Sequence, residues 1–253
     1  MSREATASAP WLSSSRPAMN NGARPYPQDA PSMPDTKPVA DPAARPRQPR
    51  KNNPEKTRQD ILLAAIREFA EQGLSGARVD AIAERTSTSK RMIYYYFGSK
   101  EQLYLAVLEK LYGDIRATEA TLRLDELEPE AAIRRLVEFT FDHHAANVDF
   151  IRLVSIENIH HGEHIARSPS IRSLSKSIVS QIAAILARGA DAGVFRAGID
   201  PLDLHLLISS FCFFRVSNRY TFSTIHQIDL GGAEARARHR EMICEAVIRH
   251  VRA

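Results

Sequence analysis

The chain has 253 residues, 43% of them hydrophobic and 25% charged, an ordinary balance for a globular protein. No run reaches the ~18 consecutive apolar residues of a membrane-spanning helix, and the early residues lack the apolar stretch of a secretory signal. The net charge of +4 belongs entirely to the first 54 residues, which carry eight Lys or Arg against four Asp or Glu.

That first stretch also holds 11 of the 14 prolines, mixed with Ser, Ala, Asn and Arg. It has no apolar periodicity, so residues 1–53 read as a disordered, basic, proline-rich tail with too little apolar surface to offset ordering entropy. Its basic residues are densest in RPRQPRKNNPEKTR, Arg45–Arg58, with six bases and one acid. Two readings stand: a solvated linker, or an arm that follows a phosphate backbone or enters a minor groove.

From Pro54 the pattern turns helical. PEKTRQDILLAAIREFAEQG puts Ile61, Leu62, Ala65, Ile66, Phe69 and Ala70 on one stripe, and Gly73 is a stop. RVDAIAERT predicts a brief helix burying Val79, Ile82 and Ala83, followed by a Ser-Thr-Ser turn. Ser89 is a good N-cap for the next short helix, KRMIYYYF. Gly98-Ser99 breaks that helix, and Ser99 can cap a long one starting at Lys100.

Three helices in so short a span, the last two joined by a tight polar turn, form a helix-turn-helix unit over residues 54–104. The second helix of that last pair, KRMIYYYF, offers its N-terminal residues to base edges in the major groove. Met92 and Ile93 are expected to point inward and Phe97 to pack on the first helix. Lys90, Arg91 and Tyr95 then point outward, where charge meets phosphate and polar rings meet sugar and base edges. Tyr94 and Tyr96 sit at the margins. The alternative is a solvated basic helix with aromatics in the core.

Residues 105–253 continue as helices. KEQLYLAVLEKLYGDIRATEATL, residues 100–122, reads as one long helix. Glu128-Pro129 opens the next. DFIRLVSIENIHHGEHI is interrupted by Gly162, and a helix after Pro169 ends at Gly193. Asp200-Pro201 is a strong start signal, and the segment from Leu202 to Phe222 is apolar around most of its circumference. Such a helix is a central core helix or a subunit interface. AEARARHREMICEAVIRHVRA closes the chain as an amphipathic helix. No strand-period run occurs, so the expected fold class is all-α.

The stretch RVDAIAERTSTSKRMIYYYFGSKEQL resembles the DNA-binding domain of the TetR/AcrR family of bacterial transcriptional regulators. The family pattern reads T-x-x-x-I-A-x-x-A-G-V-S-x-x-x-L-Y-x-H-F-x-x-K-x-x-L. Ile82, Ala83, Ser89, Tyr94, Phe97, Lys100 and Leu103 match it, with Ile93 in place of Leu. Arg78 replaces the usual Thr, Thr86-Ser87 the usual Ala-Gly, and Tyr96 the usual His. Arg78 lacks the hydroxyl but can contact phosphate itself.

The resemblance implies a DNA-binding domain followed by a helical effector-binding and dimerisation domain. Double-stranded DNA, a small-molecule effector and a second copy of the chain are the implied partners, with no membrane. DNA contacts are expected from Arg78, Ser89, Lys90, Arg91, Tyr94, Tyr95 and Lys100, with Tyr94 and Lys100 on phosphates as at matching family positions. Dimerisation through the last two long helices is implied, and Leu206, Leu207, Phe211, Phe214 and Val247 should lie at that interface or just beneath it. Family members mostly repress; an activator of the same fold stays open. The C-terminal half is also loosely similar to members controlling breakdown of pyrimidines or other N-heterocyclic and aromatic compounds.

For the effector, Arg152, Asn158, His161, Arg215 and Asn218 are the polar residues expected to converge in a mostly apolar pocket. His160 and His164 have i,i+4 spacing, but Gly162 lies between them, so no metal site is expected. Cys212 and Cys244 lie in apolar helical patterns and read as reduced, buried thiols of a cytoplasmic protein. No phosphate-binding Gly loop or nucleophile elbow points to an enzyme, and no cofactor is expected. An interaction protein working through its tail is the remaining rival.

Overall fold

The computed structural model describes residues 53–253; the proline-rich stretch up to residue 52, with the expectation of a disordered arm, lies outside the described residues. Among the described residues there are ten α-helices and no strand. They are α1 (Pro54–Gly76), α2 (Val79–Thr86), α3 (Lys90–Phe97), α4 (Lys100–Ala120), α5 (Pro129–Ala146), α6 (Val148–Ile159), α7 (Pro169–Asp191), α8 (Pro201–Ser217), α9 (Arg219–His226) and α10 (Ala233–Val251).

Local chemistry sets most boundaries. The side chains of Asn53, Ser89, Ser99, Ser168 and Asp200 each accept from a backbone N–H in the first turn of the following helix. Pro129, Pro169 and Pro201 occupy the first helical position, where the missing N–H costs nothing. Gly73 leaves helical geometry at φ 68°, so α1 is broken there and only a short turn continues to Gly76.

The expected apolar stripe of α1 is buried in full. It packs with Val79, Ile82, Ile93, Phe97, Leu103, Tyr104, Val107 and Leu108 in one core. Phe69 and Tyr104 meet edge to face at 5.1 Å, both without exposed surface. Each such side chain contributes about 1.5–3 kcal/mol by leaving water. Leu153 of α6 and Ile171 of α7 join the same core, and α4 runs without a break across the expected boundary at residue 104.

A second core joins α5, α7, α8 and α10 through Ile133, Leu136, Val137, Ile182, Leu204, Ile208, Cys244 and Val247. Gly189 of α7 lets this core close: a Cβ there would sit 1.9 Å from the Phe195 ring. Along the outside of α5 and α10, Arg134–Glu241, Arg236–Asp142 and Arg240–Glu138 pairs at 2.7–3.2 Å set the pairing of the two helices. Exposed pairs of this kind each contribute well under about 1 kcal/mol, so they guide register more than stability.

Two expectations need correction. Leu202 to Phe222 is not one helix; it breaks at Asn218, between α8 and α9. Of the two readings of this apolar segment, a central core helix does not hold for α8. Leu204, Ile208, Cys212 and Val216 face the core, while Leu202, Leu206, Phe211 and Phe214 are exposed. A helix packed on one side by its own chain can bury only one stripe. Met92, expected inward, is only half-buried, because Ile93 and Phe97 fill the space beneath α3.

Candidate DNA-binding face and effector cavity

The turn between α2 and α3 is built by Ser87, which holds the left-handed conformation at φ 51°. From there the N–H of Thr88 donates to Ala83 O, closing α2. Ser89 then caps α3 by accepting from Met92 N at 3.2 Å. Ile93 and Phe97 anchor α3 inward, and the Arg58 guanidinium lies over the Phe97 ring at 5.2 Å. Lys90, Arg91, Tyr94 and Tyr95 are left exposed, Tyr95 at 77%. Tyr96 packs edge-on to Tyr95 at 5.4 Å and stiffens this rim.

Arg78, Lys90, Tyr94 and Lys100 surround a single surface depression with Gly98 and Ser99. Two of them already have partners. Lys90 Nζ pairs with Asp80 at 3.2 Å, both groups about half exposed. Lys100 Nζ donates to Ala77 O at 3.2 Å and Ser75 O at 3.4 Å, so it ties the start of α4 to the loop after α1. The Arg78 side chain is exposed, while its backbone N–H donates to Glu68 Oε1. Glu68 is a buried carboxylate that also pairs with Arg85 at 3.2 Å. Sequence reasoning missed Glu68; the signal was an acid seven residues after Ile61 on the apolar stripe of α1.

A cavity of about 350 Å³ opens between α4, α5, α6 and α8. Its apolar walls include Ile115, Leu136, Phe150, Val154 and Phe213. Its polar lining includes Arg116, Glu119, His144, Asn158 and His205. Arg116 and Glu119 pair at 2.6 Å, with side chains 14% and 4% exposed. Burial raises the Glu119 carboxyl to about 7, only partly countered by Arg116. Burial and the neighbouring His143 lower His144 to about 4, so its ring is neutral near neutral pH. His205 is lowered by burial and by Arg116.

Of the five residues expected at an effector pocket, only Asn158 lines this cavity. Arg152 is exposed and borders a separate depression with Ala70, Gly73 and Tyr220. His161 is exposed on the turn after α6, at φ 57°. Arg215 is buried, donates to Leu230 O at 2.8 Å and stacks over Phe141 at 4.7 Å, pinning the loop before α10. Asn218 starts α9 and donates to Ser217 Oγ. The cavity's own polar residues were legible in one respect: Arg116 and Glu119 share a face of α4 with Tyr112 and Ile115, where charges are out of place. Among the described residues, no group of three or more His, Cys, Asp or Glu could hold a metal ion.

The comparisons agree with this geometry. Residues 61–107 match the family "Bacterial regulatory proteins, tetR family", and residues 129–247 match "Tetracyclin repressor-like, C-terminal domain". The chain is 38% identical over 198 residues to the HTH-type transcriptional repressor NicS of Pseudomonas putida, covering 78% of this chain and 93% of that one. It is 33% identical over 156 residues to the HTH-type transcriptional repressor SCO4008 of Streptomyces coelicolor, covering 62% and 76%. Among solved structures, the transcriptional regulator SCO4942 from Streptomyces coelicolor superposes with a TM-score of 0.58 and 28% identity, over 77% of this chain and 98% of that one. FadR from Bacillus subtilis, solved in complex with stearoyl-CoA, shares the fold at a TM-score of 0.58 and 17% identity, over 76% and 98%.

A helix-turn-helix unit joined to an all-helical C-terminal domain defines a DNA-binding transcriptional regulator. The chain belongs to the TetR family.

Proposed function

We propose that this regulator is a cytoplasmic repressor that binds palindromic operator DNA as a homodimer and is released when a small molecule enters the α4–α5–α6–α8 cavity. The observation that carries the reading is the course of α4. At its N-terminus Lys100 is bonded to the loop that precedes α2. Three to five turns later the same helix supplies Tyr112, Ile115, Arg116 and Glu119 to the cavity. A ligand that favours a different seating of α4 therefore favours a different spacing of two α3 helices.

In this reading Arg91, Lys90 and Tyr95 contact base edges or backbone, and Tyr94, Ser89 and Arg78 contact phosphates. Lys100 acts mainly by holding the loop in place. The relatives named as repressors support repression. A homodimer accounts for the exposed Leu202, Leu206, Phe211 and Phe214 on α8, with Met242 exposed on α10. Leu207 and Val247 lie beneath that surface.

The test is selection of bound fragments from genomic DNA at moderate salt, with wild type and Arg91→Ala. A recovered palindrome that the variant binds at least about tenfold more weakly supports recognition through α3. Diffuse, salt-sensitive binding that the variant leaves unchanged rejects it.

A further inference from the structure

The cavity's chemistry identifies a class of ligand, an inference that rests on the cavity being the effector site. Arg116 and Glu119 stand one turn apart on α4 and pair inside the wall. Their pairing is incomplete. Arg116 Nη1 is buried and lacks hydrogen-bond geometry to any partner, although Glu119 Oε2 is 2.6 Å away. His144 Nδ1 is also buried without a partner. Buried polar atoms are nearly always satisfied, so an unpartnered His144 Nδ1 and a close but poorly aligned Arg116–Glu119 contact beside one cavity call for a ligand group. The rings of Tyr112, Phe150 and Phe213 flank the space, with Tyr112 and Phe150 edge to face at 5.4 Å.

We propose that the cavity takes a small planar carboxylate, which replaces Glu119 as the partner of Arg116 while Glu119 takes up one proton from solvent. If Glu119 stayed ionised, two carboxylates would share one guanidinium in a desolvated site, and like charges that close force one to neutralise. Burial already holds Glu119 near neutrality, so its proton costs little near pH 7. Where Glu119 is ionised beforehand, the charge of the site is then the same before and after binding. A cationic ligand fits poorly, because capturing Glu119 would leave Arg116 buried without a counter-ion.

The titratable groups of the neighbouring elements agree with this direction. Tyr112 on the same helix is raised by burial and remains a neutral phenol. His143 and His144 of α5 and His205 of α8 are all lowered, so they are uncharged and can hydrogen-bond a ligand. From α6 come Phe150, Val154 and Asn158, which carry no charge, while the buried acid of that helix, Glu157, lies outside the lining, bonded to His164 Nδ1 and Ile165 N, and adds to the raising of Tyr112.

Calorimetric titration of the full chain with benzoate, benzamide and benzylamine, at several pH values and in buffers of different ionisation enthalpy, tests the proposal. Benzoate should bind at least about tenfold more tightly than the other two. Its affinity should be level below pH about 7 and fall about tenfold per unit above it, with up to one proton taken up. Glu119→Gln should flatten that dependence, and Arg116→Lys should weaken benzoate; melting curves establish that both fold. Tighter binding of benzylamine, benzoate binding above pH about 7 without proton uptake, or no binding of any probe at millimolar concentration overturns the proposal. Fragment binding on the same preparation separates the two readings: intact DNA binding without probe binding sinks this inference alone, whereas absent DNA binding sinks the regulator reading itself.

Discussion

Glu119 and His144 line the same cavity and are displaced in opposite directions by the same burial. The Glu119 carboxyl is raised from 4.5 to about 7, so the folded chain keeps a proton that the unfolded chain has released. Its favourable contribution is complete below pH about 4.5 and is lost as pH rises through about 7. His144 falls from 6.5 to about 4; its contribution is complete above pH about 6.5 and is lost as pH falls through about 4. In the wild type the two trends oppose each other across their shared range. Glu119→Gln removes the first and leaves the second. Stability of that variant relative to wild type should therefore rise by about 3 kcal/mol between pH ~4.5 and ~7.5. Urea unfolding at both pH values measures it, and an unchanged gap would mean that folding leaves the Glu119 carboxyl at its ordinary, unfolded-chain value.

At the scale of elements, the α2–α3 turn shows how a departure from the family pattern is accommodated. The position that is usually Gly is Ser87, and it still adopts φ 51° and ψ 33°. A side chain pays for the left-handed region with about 1–2 kcal/mol of steric strain, part of which Gly loses again through unfolded-state entropy. Ser87→Gly should raise stability by about 0.5–1 kcal/mol, seen as a melting temperature a few degrees higher. A lower melting temperature would show that the Ser87 side chain contributes something its geometry does not reveal. This turn was legible in the residues because capping and turn chemistry are local. The break at Asn218 was not, because nothing between Leu202 and Phe222 carries a Gly or Pro stop signal. There the chain leaves helical geometry at Asn218, φ −102° and ψ 10°, without a local stop signal.

At the scale of the molecule, α8 is apolar on two sides and its own subunit covers one. Leu206 and Phe214 are 63% and 52% exposed, too much apolar surface on one helix to be left in water without a partner. Phe214→Asp should leave the subunit core intact, since the ring lies outside it, and should convert a dimer to monomer in sedimentation. Binding to a palindrome should fall at least about tenfold, because one subunit can occupy only one half-site. A variant that stays dimeric places the interface elsewhere.

Local rules sufficed for much of this protein. Cap residues, helix-initiating prolines and the 3.6-residue apolar period specify short-range decisions that need no distant partner, and they place Lys90, Arg91 and Tyr95 on an outer face. The cavity is different in kind. Its walls come from α4, α5, α6 and α8, between Tyr112 and Phe213, and no spacing rule links them. Choosing Arg152, His161, Arg215 and Asn218 by residue type could not tell which of them packing would consume or leave at the surface. Likewise, the sequence shows that α8 is apolar all round, but only packing decides which stripe meets its own core and which is left for another surface. Side chains on one helix are ordered by the helix itself; side chains on four helices are ordered by how the cores close.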